Sequence, residues 1–310
     1  MTETAQPRPI VVGYDDSAQA RDALAVGVAL ARATGYPLML ASAYGPVAAL
    51  SQDELDARGA EVLDQLERAA DSLPTELSTA VELTAVPGSS AAAALHQLAE
   101  GVHPRAIVLG SCHRGPVGRV LMGSVAERLL NGAPCPVVVA PRGVAGRDPL
   151  RLRTVCVGFD ARAEGWTALQ RAAQVAAAAG AHLRVVMALQ PLTGTPTMPM
   201  FPAEVVAEHH RRAEIELDRA VRSVANRLEA EPRLVRGYPE AVLAKEAERD
   251  VDLLVLGSRG YGPLRRVLLA SVSTELMRSA PCAVMVVPRS AQPELTGEGM
   301  AAEDEFVASG

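Results

Sequence analysis

Three blocks of this chain recur in the same order, about half a chain length apart. Gly13-Tyr14-Asp15 returns as Gly158-Phe159-Asp160, and Ile107-Val108-Leu109-Gly110-Ser111 returns as Leu254-Val255-Leu256-Gly257-Ser258. Ala133-Pro134-Cys135-Pro136-Val137-Val138-Val139 returns as Ala280-Pro281-Cys282-Ala283-Val284-Met285-Val286. The offset is 145 residues at Asp15/Asp160 and 147 at both Gly110/Gly257 and Pro134/Pro281. An offset that drifts so little across three blocks marks a duplicated unit, whatever that unit folds into. At 310 residues the chain divides naturally into two domains of about 150. The expected organisation is a first domain over 1–142, a linker over 143–151, a second domain over 152–289 and an acidic, disordered tail over 290–310. The tail carries Glu294, Glu298, Glu303, Asp304 and Glu305 with little apolar pattern.

Within each unit, short apolar runs bounded by Gly, Pro or Asp alternate with longer Ala-, Glu- and Arg-rich stretches. The runs read as buried parallel strands over 10–14, 37–43, 80–86, 106–110 and 136–140, and again over 154–159, 182–188, 233–236, 252–257 and 283–287. Helices are expected over 17–34, 52–72, 165–179 and 203–229. Ser51 with Glu54 has the spacing of a capping box, and Leu217, Val221, Val224 and Leu228 form an apolar helix stripe. This alternation predicts an α/β fold, two repeated domains that are each a doubly wound five-stranded parallel sheet with helices on both faces. The segment Pro191–Pro202, with four prolines and two methionines, reads as a loose loop, or as a cover over a pocket.

Composition narrows the function classes. The formal net charge is −6 and aromatic residues make up 3% of the chain, which argues against a nucleic-acid surface built from cations and stacking rings. No apolar run reaches the ~18 residues of a membrane span, and Met1–Pro9 lacks the apolar core of a signal peptide, so a cytoplasmic protein is expected. The four cysteines, Cys112, Cys135, Cys156 and Cys282, form no CxxC pair and read as small apolar residues. His209 and His210 are adjacent on a helix and point in different directions, as surface residues do.

In open parallel sheets, ligands sit beyond the carboxyl ends of the strands at the topological switch point. Two features lie there in both halves. One is the aspartate that closes strand one, Asp15 or Asp160, preceded by Gly13-Tyr14 or Gly158-Phe159. The other is a glycine-rich loop after strand four, from Gly110 to Ser124 through Gly115 and Gly123, and from Gly257 to Ser271 through Gly260. Glycines let backbone amides approach phosphate oxygens, and a helix starting at the loop's end adds its free N–H groups. Val125–Leu130 and Val272–Met277 read as those helices, with Ser124 and Ser271 at their starts. A carboxylate repels phosphate, so Asp15 and Asp160 are expected at the sugar or base. Structural roles compete with these: Asp15 or Asp16 can cap the next helix, and Ser124 with Glu127 has capping-box spacing. Arg114, Arg119, Arg265 and Arg266 either screen phosphate charge or form a solvated face.

These motifs resemble the universal stress protein family across roughly 8–142 and 152–289. Gly13-Tyr14-Asp15-Asp16-Ser17 resembles the family's opening Gly-x-Asp-Gly-Ser, the loops resemble its Gly-x-x-Gly followed by Gly-Ser or Gly-Thr, and Ala-Pro-Cys-Pro-Val is typical before its last strand. The resemblance implies sheets in the order 3-2-1-4-5, intramolecular pairing of the two domains through their last strands, and homodimers. It also implies binding of an adenine nucleotide, ATP or ADP with magnesium, in a stress-response regulator rather than an enzyme. By the same resemblance, Tyr14, Asp15 and Ala43 lie near the base and Gly110, Gly123, Ser124 and Val125 near ribose and phosphates, with Gly13 and Gly115 also in the nucleotide site. The counterparts are Gly158, Phe159, Asp160, Ala188, Gly257, Gly260, Ser271 and Val272. Each copy departs from the pattern at a different place. His113 stands at the second glycine of the first loop, Ala270 at the last glycine of the second, and Arg162 where the first half has Ser17. The first half is therefore the expected better pocket. Two other readings stay open: a nucleotide-free structural or partner-binding protein, and a slow ATP hydrolase. Against the hydrolase stand the lack of a GxxxxGK[ST] loop and the isolation of Lys245, the chain's one lysine, in a helix-like stretch.

Overall fold

A computed structural model describes residues 8–45, 51–74, 81–112, 117–146, 150–192, 201–258 and 271–288. The first half runs β1 (Ile10–Gly13), α1 (Ala18–Thr34), β2 (Leu38–Tyr44), α2 (Gln52–Asp71), β3 (Glu82–Pro87), α3 (Ala91–Val102), β4 (Ala106–Gly110), α4 (Ser124–Leu130) and β5 (Val137–Ala140). The second half repeats it as β6 (Thr154–Gly158), α5 (Ala163–Ala179), β7 (His182–Leu189), α6 (Ala203–Val224), β8 (Ala230–Arg236), α7 (Pro239–Ala247), β9 (Leu253–Gly257), α8 (Ser271–Ser279) and β10 (Ala283–Val287). The strands lie in the order β3-β2-β1-β4-β5-β10-β9-β6-β7-β8, so each half has the expected 3-2-1-4-5 sheet.

Helix boundaries follow local chemistry. Ser17 caps α1, its Oγ accepting from the Ala20 amide at 3.0 Å, and Gly35 ends it at φ 69. Ser51 and Glu54 form the reciprocal capping box that opens α2. The helix expected over 203–229 ends instead at Val224, and the following strand starts at Ala230 rather than at residue 233. Glu231 and Pro232 hid the strand start: β8 is an outer strand, where a charge and a missing amide are tolerated. Leu217 and Val224 are buried as the stripe predicted, while Leu228 packs against the core from beyond the helix.

The core consists of two layers, one on each face of a single sheet. Val12, Val138, Val155, Val255 and Met285 face α1, α2, α5 and α6; Val11, Val139, Cys156, Leu254 and Val284 face α3, α4, α7 and α8. This is the period-two alternation of a strand, with both faces covered, so the strands read as continuous apolar runs. The halves join where β5 and β10 pair antiparallel, Val137, Val138 and Val139 opposite Val286, Met285 and Val284. Neither strand is left as an exposed edge. The start of the linker is docked: Asp22, buried on α1, accepts from the amides of Gly143 at 2.7 Å and Ala145 at 2.9 Å. Residues 193–200, in the proline-rich segment, and the acidic tail fall outside the described residues. Among the described residues no helix is long and apolar enough to cross a membrane.

Candidate functional site

The first site forms where β1 and β4 end side by side and their chains leave in opposite directions. Past β1, Asp16 takes a left-handed conformation at φ 58, which aspartate tolerates better than most residues. Asp15 stabilises the turn: its Oδ1 accepts from the Ser17 amide at 3.2 Å and the Ser17 hydroxyl at 2.6 Å. Neither aspartate caps α1; Ser17 does, and Asp15 orients it. Asp16 instead meets Arg21 at 3.2 Å and accepts from the Tyr14 hydroxyl at 3.3 Å. Burial, reinforced by the Asp16 charge, pushes the Tyr14 phenol above its ordinary range.

The two well-placed glycines of the first loop turn out to have different reasons. A Cβ on Gly110 would lie 2.5 Å from the Gln19 carbonyl carbon and closer still to its oxygen. Gly257 meets the Glu164 carbonyl oxygen at 2.6 Å in the same way. These glycines let strand four pack against the first turn of α1 or α5, and phosphate is not needed to explain them. Gly123 is different. Its φ of −89 and ψ of 168 suit any residue, and the nearest atom to an added Cβ is the Cys112 Cα at 3.9 Å. Neither the backbone nor the packing of the described residues requires glycine there. Gly123 is also the N-cap of α4, with no side chain capping the helix, so the Ser124–Glu127 capping box does not form and Ser124 is the exposed first residue of the helix.

A cavity of about 620 Å³ opens between these elements. Volumes of roughly 300–1,000 Å³ are typical of small-molecule sites. Gly13, Tyr14, Asp15, Ala43, Gly110, Gly123, Ser124 and Val125 all line it. Gly115 falls outside the described residues, as do His113 and Arg114. Ser42, Leu95, Ser111 and Cys112 also line the cavity and were not among the site residues expected from the sequence. Ser111 and Cys112 directly follow Gly110, so the loop itself was the available signal; Leu95 comes from α3, which no motif marked. Ser111 is buried and gives its hydroxyl to the Ala140 carbonyl at 2.6 Å, so it braces the wall.

The second site has the same frame with less space. Gly158, Phe159, Asp160, Ala188, Gly257 and Val272 line a cavity of about 80 Å³, together with Pro239, Leu243 and Leu256. A separate cleft of about 340 Å³ lies toward α6 and shares Asp160 and Ala188. Arg162 replaces the Ser17 cap and makes no capping bond; its amide donates to Asp160 Oδ1 at 3.3 Å. Phe159 has no hydroxyl and stands edge-on to Trp166, 5.0 Å between centroids. Ser271 opens α8, and Gly260, Arg265, Arg266 and Ala270 fall outside the described residues. Arg119 does not face the first cavity: it donates to the Ser279 carbonyl at 2.7 Å and meets Glu248 at 3.3 Å, both in the second half. His209 lines the α6 cleft and His210 meets Glu214 at 3.3 Å. Among the described residues, no three His, Cys, Asp or Glu side chains cluster as metal ligands would.

The same architecture occurs in known proteins. A universal stress protein from Archaeoglobus fulgidus superposes with a TM-score of 0.64 at 20% identity, covering 92% of this chain and 99% of that one. A putative universal stress protein from Pseudomonas aeruginosa gives 0.61 at 15% identity, covering 91% and 93%. In sequence, a universal stress protein of Mycobacterium tuberculosis is 30% identical over 206 residues, 64% of this chain and 69% of that protein. One from Mycolicibacterium smegmatis is 27% identical over 304 residues, 93% of this chain and 99% of its own length. The family model for the universal stress protein family matches twice, over residues 7–141 and 151–288. With a repeated sheet, a repeated strand-end site and two family matches in tandem, the chain belongs to the universal stress protein family.

Proposed function

We propose that this protein binds an adenine nucleotide, ATP or ADP, in the first-half cavity and acts as a cytoplasmic stress-response regulator through nucleotide-dependent conformation or partner binding. The observation that carries this reading is Gly123. Its missing side chain leaves a gap in the wall of a ligand-sized cavity, and nothing among the described residues requires that gap. A phosphate chain approaching the backbone there would require it. Tyr14, Asp15 and Ala43 line the opposite part of the same cavity, where base and ribose would lie. Asp15 Oδ2 would accept a hydrogen bond from a hydroxyl or amino group, since Oδ1 is held by Ser17. Magnesium would arrive with the phosphates.

The proposed mode is binding rather than turnover. The hydroxyl–carboxylate pair that lines the cavity, Ser17 with Asp15, is engaged in capping α1: Ser17 Oγ donates to Asp15 Oδ1 at 2.6 Å and accepts from the Ala20 amide at 3.0 Å. The second half's small cavity favours an auxiliary role for that half, with the β5–β10 seam holding the two domains as an intramolecular pair. Denaturing the purified protein and chromatographing the supernatant tests for carried nucleotide, and calorimetric titration of ATP into stripped protein tests for binding. Released adenine nucleotide or a saturable heat supports the reading. Neither signal would sink it in favour of a nucleotide-free, partner-binding protein. Steady phosphate release lost on a single cavity substitution would favour the hydrolase.

A further inference from the structure

One wall of the first cavity is held by the other half of the molecule. After residue 117 the chain runs toward α4 along the carboxyl end of α8. The Val120 amide donates to the Ala280 carbonyl at 2.7 Å and the Met122 amide to the Met277 carbonyl at 2.8 Å. The residue between them faces the opposite way. Leu121 donates its amide to Ser111 Oγ at 3.1 Å and accepts from the Cys112 amide at 2.6 Å. This segment therefore behaves like a strand with two customers: its even residues cap α8, and Leu121 closes the end of β4. The last carbonyls of a helix have no partner within the helix, so α8 needs what the loop supplies. Arg119 completes the contact with its 2.7 Å bond to the Ser279 carbonyl and its 3.3 Å ion pair to Glu248. The next residues, Gly123, Ser124 and Val125, line the first cavity. At the opposite end of α8, Val272 and Ser273 line the second cavity.

We propose that the first cavity is a composite site. The second half sets the position of the Gly123 wall through α8, Arg119 is its positioning residue, and α8 links the two cavities mechanically. The identity of the ligand rests on the nucleotide reading above; the position of the wall does not. Coupling of this kind needs a physical element both sites share, and α8 with its capping segment is that element.

The chain contains its own reporter. Cys112 lines the first cavity, is partly exposed and bonds to Leu121, while Cys135, Cys156 and Cys282 are buried. Its rate of labelling by a thiol reagent reads the wall whether or not nucleotide binds. Arg119→Ala is expected to raise that rate about five- to tenfold, the scale of one lost hydrogen bond at a partly exposed site. Arg119→Lys keeps a donor for the Ser279 carbonyl and should restore most of the difference. Glu248→Ala should raise the rate about twofold, since an exposed ion pair contributes little. Val272→Phe, which crowds the second cavity, should change the Cys112 rate through α8 by at least about twofold. ATP affinity should fall with Arg119→Ala and recover with Arg119→Lys. A Cys112 rate unchanged in both Arg119→Ala and Glu248→Ala overturns the composite site, and an unchanged rate in Val272→Phe overturns the link. If the rates move as expected while the wild type gives no heat with ATP, the nucleotide reading fails and the composite wall stands.

Discussion

Gly110 and Gly123 sit in the same sequence motif, yet the structure assigns them opposite duties, and two substitutions separate them. In Gly110→Ala the new methyl would overlap the Gln19 carbonyl of α1, a backbone group that cannot rotate away. Relief requires β4 and the first turn of α1 to separate by about an ångström, in a layer where Val108 and Ala23 are fully buried. Overpacking of this kind costs about 1–3 kcal/mol, and a backbone obstacle places it at the upper end. For a chain of this size that is a fall of roughly 2–5 °C in melting temperature. In Gly123→Thr the new Cβ meets nothing closer than Cys112 at 3.9 Å among the described residues, the φ and ψ are those of an extended residue, and threonine caps a helix about as well as glycine. Stability should stay within about 0.5 kcal/mol of the parent. The added hydroxyl and methyl project into the 620 Å³ cavity, so ATP affinity should drop by about tenfold or more, the loss expected when one phosphate-contacting group is displaced. Differential scanning calorimetry and isothermal titration on both variants give the four numbers needed. A Gly110→Ala protein that melts with the parent would refute the packing argument. A Gly123→Thr protein that binds ATP like the parent would refute the claim that this gap admits phosphate.

Three further outcomes follow from individual residues. Ala161 holds φ 58 at the position where the first half has Asp16, and a left-handed alanine costs roughly 1–2 kcal/mol; Ala161→Gly should therefore raise stability by about 0.5–1 kcal/mol by chemical denaturation, after glycine's extra chain entropy is subtracted. Asp22→Ala removes the acceptor of the Gly143 and Ala145 amides in a buried place and should cost about 2–3 kcal/mol, while Asp22→Asn should recover part of it. Burial pushes the Cys135 and Cys156 thiols up to about 12 and raises Cys282 as well. The unfolded chain releases these protons near the ordinary thiol value of about 8.5 and the folded chain keeps them. This contribution to stability is therefore complete below that pH and falls by up to about 4 kcal/mol per pH unit above it. Denaturation at pH 8, 9 and 10 checks the slope, and titration with a thiol reagent at pH 8 should find only Cys112 reactive until the protein unfolds.

The fold was legible because its signals are local or periodic. Buried parallel strands read as Val, Ile and Leu runs, Ser51 with Glu54 announced its own helix, and the offset of 145–147 residues carried each half's solution to the other. The misreadings fall where a neighbour decides. Residues 225–232 look helical or featureless until β8 is known to be an outer strand. Ser124 with Glu127 has the spacing of a capping box, but the helix begins one residue earlier than a box needs, with Gly123 at its N-cap.

The sequence alone determined the duplication and the alternation of strands and helices, and it pointed to candidate sites at the ends of strands one and four, because each of these depends on spacing along the chain. Tertiary structure decided which glycines serve packing and which leave a gap, since that depends on what lies across from a missing Cβ: the Gln19 carbonyl for Gly110, open cavity for Gly123. It decided that the two cavities differ, about 620 against 80 Å³, although their lining motifs are nearly the same. It also turned Arg119 from a candidate phosphate contact into a tie to Ser279 and Glu248, 160 and 129 residues away in sequence. Such a contact exists only once two domains have packed, and no pattern within either repeat encodes it.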